Sequence, residues 1–217
     1  MSDPITDSGP QPPGAKAYHY LALGDSYTIG ESVPAQDNFP SQSGTLFRND
    51  SSYLITRIIA RTGWTTDELE TGIRVSDAAT ALRAEYDFVS LLIGVNDQYR
   101  GRTVDSYKPA FEELLKKAIR FAGNRPERVI VLSIPDWGVT PFAEGRDRNQ
   151  IAREIDAYNA ANRQIAERYN IYYVDITPWT REAAGDRSLL APDGLHPSGT
   201  EYRRWAGRVA AWMRTKI

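Results

Sequence analysis

The chain has 217 residues, enough for one compact domain with a sizeable core. Its 41% apolar and 25% charged residues are an ordinary globular composition, and a net charge of −2 argues against nucleic acid or an anionic membrane as the main partner. The absence of cysteine excludes disulfides, thiol nucleophiles and cysteine zinc sites; with only two histidines, His19 and His196, no metal and no other cofactor is expected.

Residues 1–16 are rich in Pro, Gly and Ser, carry no apolar signal-peptide core and read as a flexible leader. Such a leader is either a native tail or the remnant of a linker behind a removed export signal, so the compartment stays open. Residues 17–217 then form a single domain. No apolar run approaches the roughly 18 residues of a membrane span.

Tyr20 to Leu23 is a buried strand that ends abruptly in Gly24-Asp25-Ser26. It delivers a serine hydroxyl to a strand's carboxyl end, where open α/β sheets bind ligands. A short helix is expected around Phe39 to Phe47, and a β-branched strand over Tyr53 to Ala60 that stops at Thr62-Gly63-Trp64. Thr65 or Thr66 caps a helix running to about Ala84, with Asp67 and Glu68 in its first turn and Gly72 as a possible interruption. Phe88 to Ile93 is a strand buried on both faces, followed directly by Gly94-Val95-Asn96-Asp97.

The clearest helix carries Ala110, Phe111, Leu114, Leu115, Ala118, Ile119 and Ala122 on one stripe and ends at Gly123. Val129 to Ile134 is the next buried strand. Asp136 to Asn149 is a long connection of the kind that borders sites. A helix places Ile151, Ile155, Tyr158, Asn162, Ile165 and Tyr169 inward, and Ile171 to Val174 is a fifth short strand. The last helix opens with Ser198-Gly-Thr-Glu201, a capping box. Strands and helices alternate without a repeat, which predicts one doubly wound α/β domain with a mostly parallel sheet.

A serine is a weak nucleophile until a base takes its proton, and that base needs an orienting acid. His19 lies at the start of the first strand, at the opposite end from Ser26, and reads as a strand-edge residue. His196 sits in a turn before a capped helix. Asp193, three residues earlier, folds back to its Nδ1–H and leaves Nε2 free to accept the serine proton. Asp25 is the alternative acid, although hydrogen-bonding the turn is its expected task. Acyl transfer also needs donors for the developing oxyanion. The Gly63 N–H and the Asn96 side-chain amide are the candidates.

The chain resembles the SGNH hydrolase (GDSL esterase/lipase) family. The motifs that carry the likeness are Gly24-Asp25-Ser26, Gly94-x-Asn96-Asp97 and Asp193-x-x-His196. The resemblance implies Ser26 as nucleophile and first oxyanion donor, Gly63 and Asn96 as the other donors, His196 as base and Asp193 as acid. It also implies a three-layer α/β/α, flavodoxin-like fold of about five mostly parallel strands. Tyr27 stands where the family has the leucine of its name, and the block around Gly63 is thin. The Gly-x-Ser-x-Gly elbow of α/β-hydrolases is absent.

The expected activity is a cofactor-free serine esterase acting on a small-molecule or carbohydrate ester, with short-chain or carbohydrate-linked acyl groups favoured. Tyr27, Trp64, Tyr99 and Trp137 are candidates to contact substrate, and Phe142 and Trp179 border the same region. Two rivals use the same residues differently: an acyltransferase with the same triad, and a non-catalytic carbohydrate-binding module.

Overall fold

The computed structural model describes residues Ile5–Asp7 and 13–217. Strand β1 (Ile5–Asp7) and strand β2 (Lys16–Asp25) lead into helix α1 (Ser26–Ile29). Helix α2 (Phe39–Phe47), β3 (Ser52–Arg61), α3 (Thr66–Ala79), β4 (Phe88–Leu92) and α4 (Val95–Tyr99) follow. The second half runs α5 (Val104–Phe121), β5 (Val129–Leu132), α6 (Arg148–Arg168), β6 (Tyr172–Val174), α7 (Thr177–Arg181) and α8 (Gly199–Arg214).

The six strands form one sheet in the order β1-β3-β2-β4-β5-β6. Strands β2 to β6 are mutually parallel, and β1 adds antiparallel to β3 with Ile5 opposite Arg57. The five parallel strands therefore stand second-first-third-fourth-fifth, the flavodoxin-like order, whose switch point lies between β2 and β4. Helices α2 and α8 pack together on one face, where Phe39 meets Trp205 and Phe88 meets Trp212. Helices α3, α5 and α6 cover the other. Every residue of β4 and β5 is buried, as their apolar runs require.

Three local expectations need revision. Helix α3 ends at Ala79, five residues early, because the buried Arg57 guanidinium captures the carbonyls of Ser76, Thr80 and Ala81 at its end. Gly72 does not interrupt α3; a side chain there would collide with the Trp64 ring, which packs against the helix at that point. At the start of α8, Ser198 accepts the Glu201 N–H at 3.4 Å, but the reciprocal half of the capping box is missing. Glu201 turns inward to accept from Trp205 Nε1 at 2.8 Å and from Arg204, while the Ser198 N–H bonds the Leu189 carbonyl.

Within the expected leader, Ile5–Asp7 pairs with β3 and β2 begins at Lys16. Residues 1–4 and 8–12 lie outside the described residues. Among the described residues no helix is long and apolar enough to cross a membrane, and no group of three or more His, Asp or Glu is placed to hold a metal ion.

Candidate active site

Strand β2 is the centre of the site because its two neighbours carry the other loops. Gly24 of β2 stands opposite Ala60 of β3 on one side and Leu92 of β4 on the other. Two residues past β3 comes Gly63, and four past β4 comes Asn96. Ser26 opens α1 between them. Asp25 is the N-cap of that turn, accepting the Tyr27 N–H at 3.0 Å, so it holds the Ser26 backbone rather than the His196 ring.

His196 Nε2 lies 3.0 Å from Ser26 Oγ, and His196 Nδ1 lies 2.7 Å from Asp193 Oδ2. Ser26 and His196 come from positions 170 apart in sequence. Asp193 also accepts the N–H groups of Leu195 (2.9 Å) and His196 (3.0 Å), and the Ser32 hydroxyl favours its ionised form. Burial opposes ionisation of Asp193, but the hydrogen bonds from His196, Leu195 and Ser32 outweigh it and hold the carboxyl down at about 2. An ionised carboxylate can only accept, so the ring proton belongs on Nδ1 and Nε2 is free to take the serine proton. The imidazole is buried, with the Tyr27 ring against it at a centroid distance of 4.8 Å.

Burial pushes the Asp25 carboxyl up to about 8, with the Tyr27 N–H opposing and the charge of Asp97 adding to the rise. Its second oxygen has no hydrogen-bond partner among the described residues. A neutral acid fits that environment; an ionised one does not.

The loops bearing Gly63 and Asn96 are bound to each other. Asn96 Nδ2 donates to the Trp64 carbonyl at 3.0 Å, which leaves the second amide hydrogen for a ligand. Asp97, buried beneath it, accepts the N–H and the hydroxyl of Thr66 and an Nη of Arg102 at 3.0 Å. Gly63 has φ +80°, in the left-handed region that favours glycine, and its carbonyl accepts from Arg100 at 2.6 Å. Gly94 has φ +127° and lies against the Tyr107 hydroxyl, which itself donates to the Ile93 carbonyl or to Asn162.

The sequence profile of the GDSL-like Lipase/Acylhydrolase family matches residues 22–204, which include all three motif blocks. The chain belongs to that family. The family is described as one of lipases and acylhydrolases. An acetylxylan esterase of Geobacillus stearothermophilus is 28% identical over 121 residues, 52% of this chain and 52% of that protein. The chain thus spans about half the length of the curated relative it matches. Among solved structures, the acetylxylan esterase Axe2 from Geobacillus stearothermophilus superposes with a TM-score of 0.67 at 20% identity, covering 94% of this chain and 96% of that one. An alpha/beta hydrolase enzyme from the metagenome of Lake Arreo, Spain, gives 0.66 at 18% identity, with 94% and 98% covered. Both likenesses are of fold.

In this GDSL-family chain the aromatic candidates take different positions. Tyr27 and Trp137 are buried, and the half-buried Trp64 ring rests on α3. Tyr99 and Phe142 are exposed and meet Trp137 at centroid distances of 5.3 and 5.9 Å. Trp179 lies apart, with Arg204 and Arg208 over its ring. Two residues with roles in the site have no motif to announce them: Ser32, which reaches Asp193 from a left-handed backbone (φ 64°), and Arg146, which covers the Tyr99 and Trp137 rings. A non-glycine residue between turn residues was the only available signal for Ser32.

Proposed function

We propose that the chain hydrolyses carboxylic esters through a covalent acyl intermediate on Ser26, with His196 as general base and Asp193 orienting it. The observation that carries this reading is the continuous hydrogen-bonded line from Ser26 Oγ through the imidazole to the Asp193 carboxylate. Ser26 Oγ attacks the ester carbonyl as His196 Nε2 takes its proton. The imidazolium then gives that proton to the leaving alcohol, and the acyl group stays on Ser26. Water, deprotonated by the same nitrogen, attacks the acyl-serine and releases the carboxylic acid.

The Ser26 N–H, the Gly63 N–H and the free hydrogen of the Asn96 amide are assigned to the oxyanion. Each such donor is typically worth roughly 100–1000-fold in rate. Short acyl groups on a carbohydrate or other small alcohol are the favoured substrates. The likeness to an acetylxylan esterase supports this preference.

The test is p-nitrophenyl acetate hydrolysis and organophosphonate labelling by the native protein and by Ser26→Ala. Turnover and labelling should vanish together in the variant while its thermal unfolding is unchanged. Retained activity would remove Ser26 from the mechanism.

A further inference from the structure

The exposed Tyr99 beside the site does not offer a bare ring on the side that Arg146 covers. Arg146, itself exposed, places its guanidinium carbon 5.1 Å from the Tyr99 ring centroid and 5.6 Å from that of Trp137. It also donates to the Tyr99 hydroxyl at 3.3 Å. Trp137 is in turn fixed by its indole N–H, which donates to Gln98 at 2.8 Å. Among the described residues Arg146 makes no ion pair. The guanidinium is thus oriented by two rings and one hydroxyl, with its charge uncompensated. Its planar fork matches a carboxylate in two parallel hydrogen bonds.

The position of this group follows from two chain connections. Tyr99 lies three residues beyond Asn96 on α4, one turn away and roughly 5–6 Å between Cβ atoms. On the other side, Gly194 of the Asp193–His196 turn packs on Pro141, the residue before Phe142. The cluster therefore borders both the helix that carries Asn96 and the turn that carries His196.

We propose that Arg146, held by Tyr99 and Trp137, is a specificity-determining residue that binds a carboxylate on the alcohol part of the ester, so that acylated acidic sugars or hydroxy acids are preferred over neutral esters. This rests on the esterase reading above. A neutral sugar would have to displace the guanidinium to stack on the Tyr99 face that it covers, whereas a carboxylate uses the arrangement as it stands.

The experiment compares 4-acetoxybenzoate with 4-acetoxybenzamide, which share the acetyl group and differ in the charge of the leaving phenol. The native protein should show a kcat/KM ratio of about fivefold or more for the acid at low salt, set mainly in KM and shrinking as salt is added. Arg146→Gln should bring the ratio to about one, and Arg146→Lys should keep part of it. A native ratio of one, or a preference that survives Arg146→Gln, would overturn the inference and leave the esterase reading intact. Failure of the native protein to turn over either ester would strike the esterase reading, and this one with it.

Discussion

Asp97 accepts both the N–H and the hydroxyl of Thr66, at 3.0 and 2.9 Å, and so ties the loop carrying Gly63 to the loop carrying Asn96. Its place in the proposed mechanism is to keep Gly63 and Asn96, the proposed oxyanion donors, at a fixed separation. Asp97→Asn keeps an acceptor for Thr66 but loses the charge facing Arg102. Its kcat should fall by about tenfold with KM nearly unchanged, because the lost contact is felt only when charge develops on the carbonyl oxygen. Asp97→Ala should lose about 100-fold and also unfold earlier. Equal losses in kcat and Tm for both variants would reduce Asp97 to a packing role.

Ser32, whose hydroxyl favours the ionised form of Asp193, has a backbone angle that costs a non-glycine residue about 1 kcal/mol or more. Ser32→Gly should relieve the strain while removing the hydroxyl. The expected result is a Tm at or above that of the native protein together with a several-fold lower kcat/KM. A variant that is both stable and fully active would show that Asp193 needs no support from Ser32.

The carboxyl of Asp25 gives stability an unusual pH dependence. Its folded value, about 8, lies above the ordinary 3.8. Between those limits the folded chain keeps a proton that the unfolded chain has released, so stability contributed by this group falls as pH rises from about 4 to 8. The falling component should disappear in Asp25→Asn, which keeps an acceptor for the Tyr27 N–H. Denaturant midpoints measured across that range in both proteins check this; parallel curves would mean that Asp25 is ionised in the fold.

Gly94 combines a φ of +127° with contact to Tyr107, whose hydroxyl oxygen would lie 2.5 Å from an added Cβ. Alanine there should cost roughly 2–4 kcal/mol in urea denaturation, from backbone strain and overpacking together. A loss under about 1 kcal/mol would mean that the Tyr107 ring moves aside freely.

Much of this molecule is legible in its sequence. Buried parallel strands write themselves as unbroken apolar runs, so Phe88–Leu92 and Val129–Leu132 could be read nearly to the residue, and with them the loops at their carboxyl ends. Ser26, His196 and Asp193 stand out because few residues in a cysteine-free chain with two histidines can serve that chemistry. What escaped depends on side chains that act across the fold. Arg57 ending α3, Glu201 turning from its cap to Trp205, and Arg146 settling on two rings are tertiary choices without a local pattern. The strand at Ile5–Asp7 escaped for a related reason: its partner lies in β3, about fifty residues away, and its own surroundings are rich in turn formers.

Under the proposed mechanism, the separation of 170 positions between Ser26 and His196 also sets when the catalyst exists. A nascent chain exposes its serine early but has no base to activate it until β2, β4 and β5 have assembled and the Asp193–His196 turn has closed over them. Such long-range closure comes late and slowly. The growing polypeptide is therefore chemically silent, and in a refolding experiment the return of esterase activity should lag any signal that reports only local helix formation.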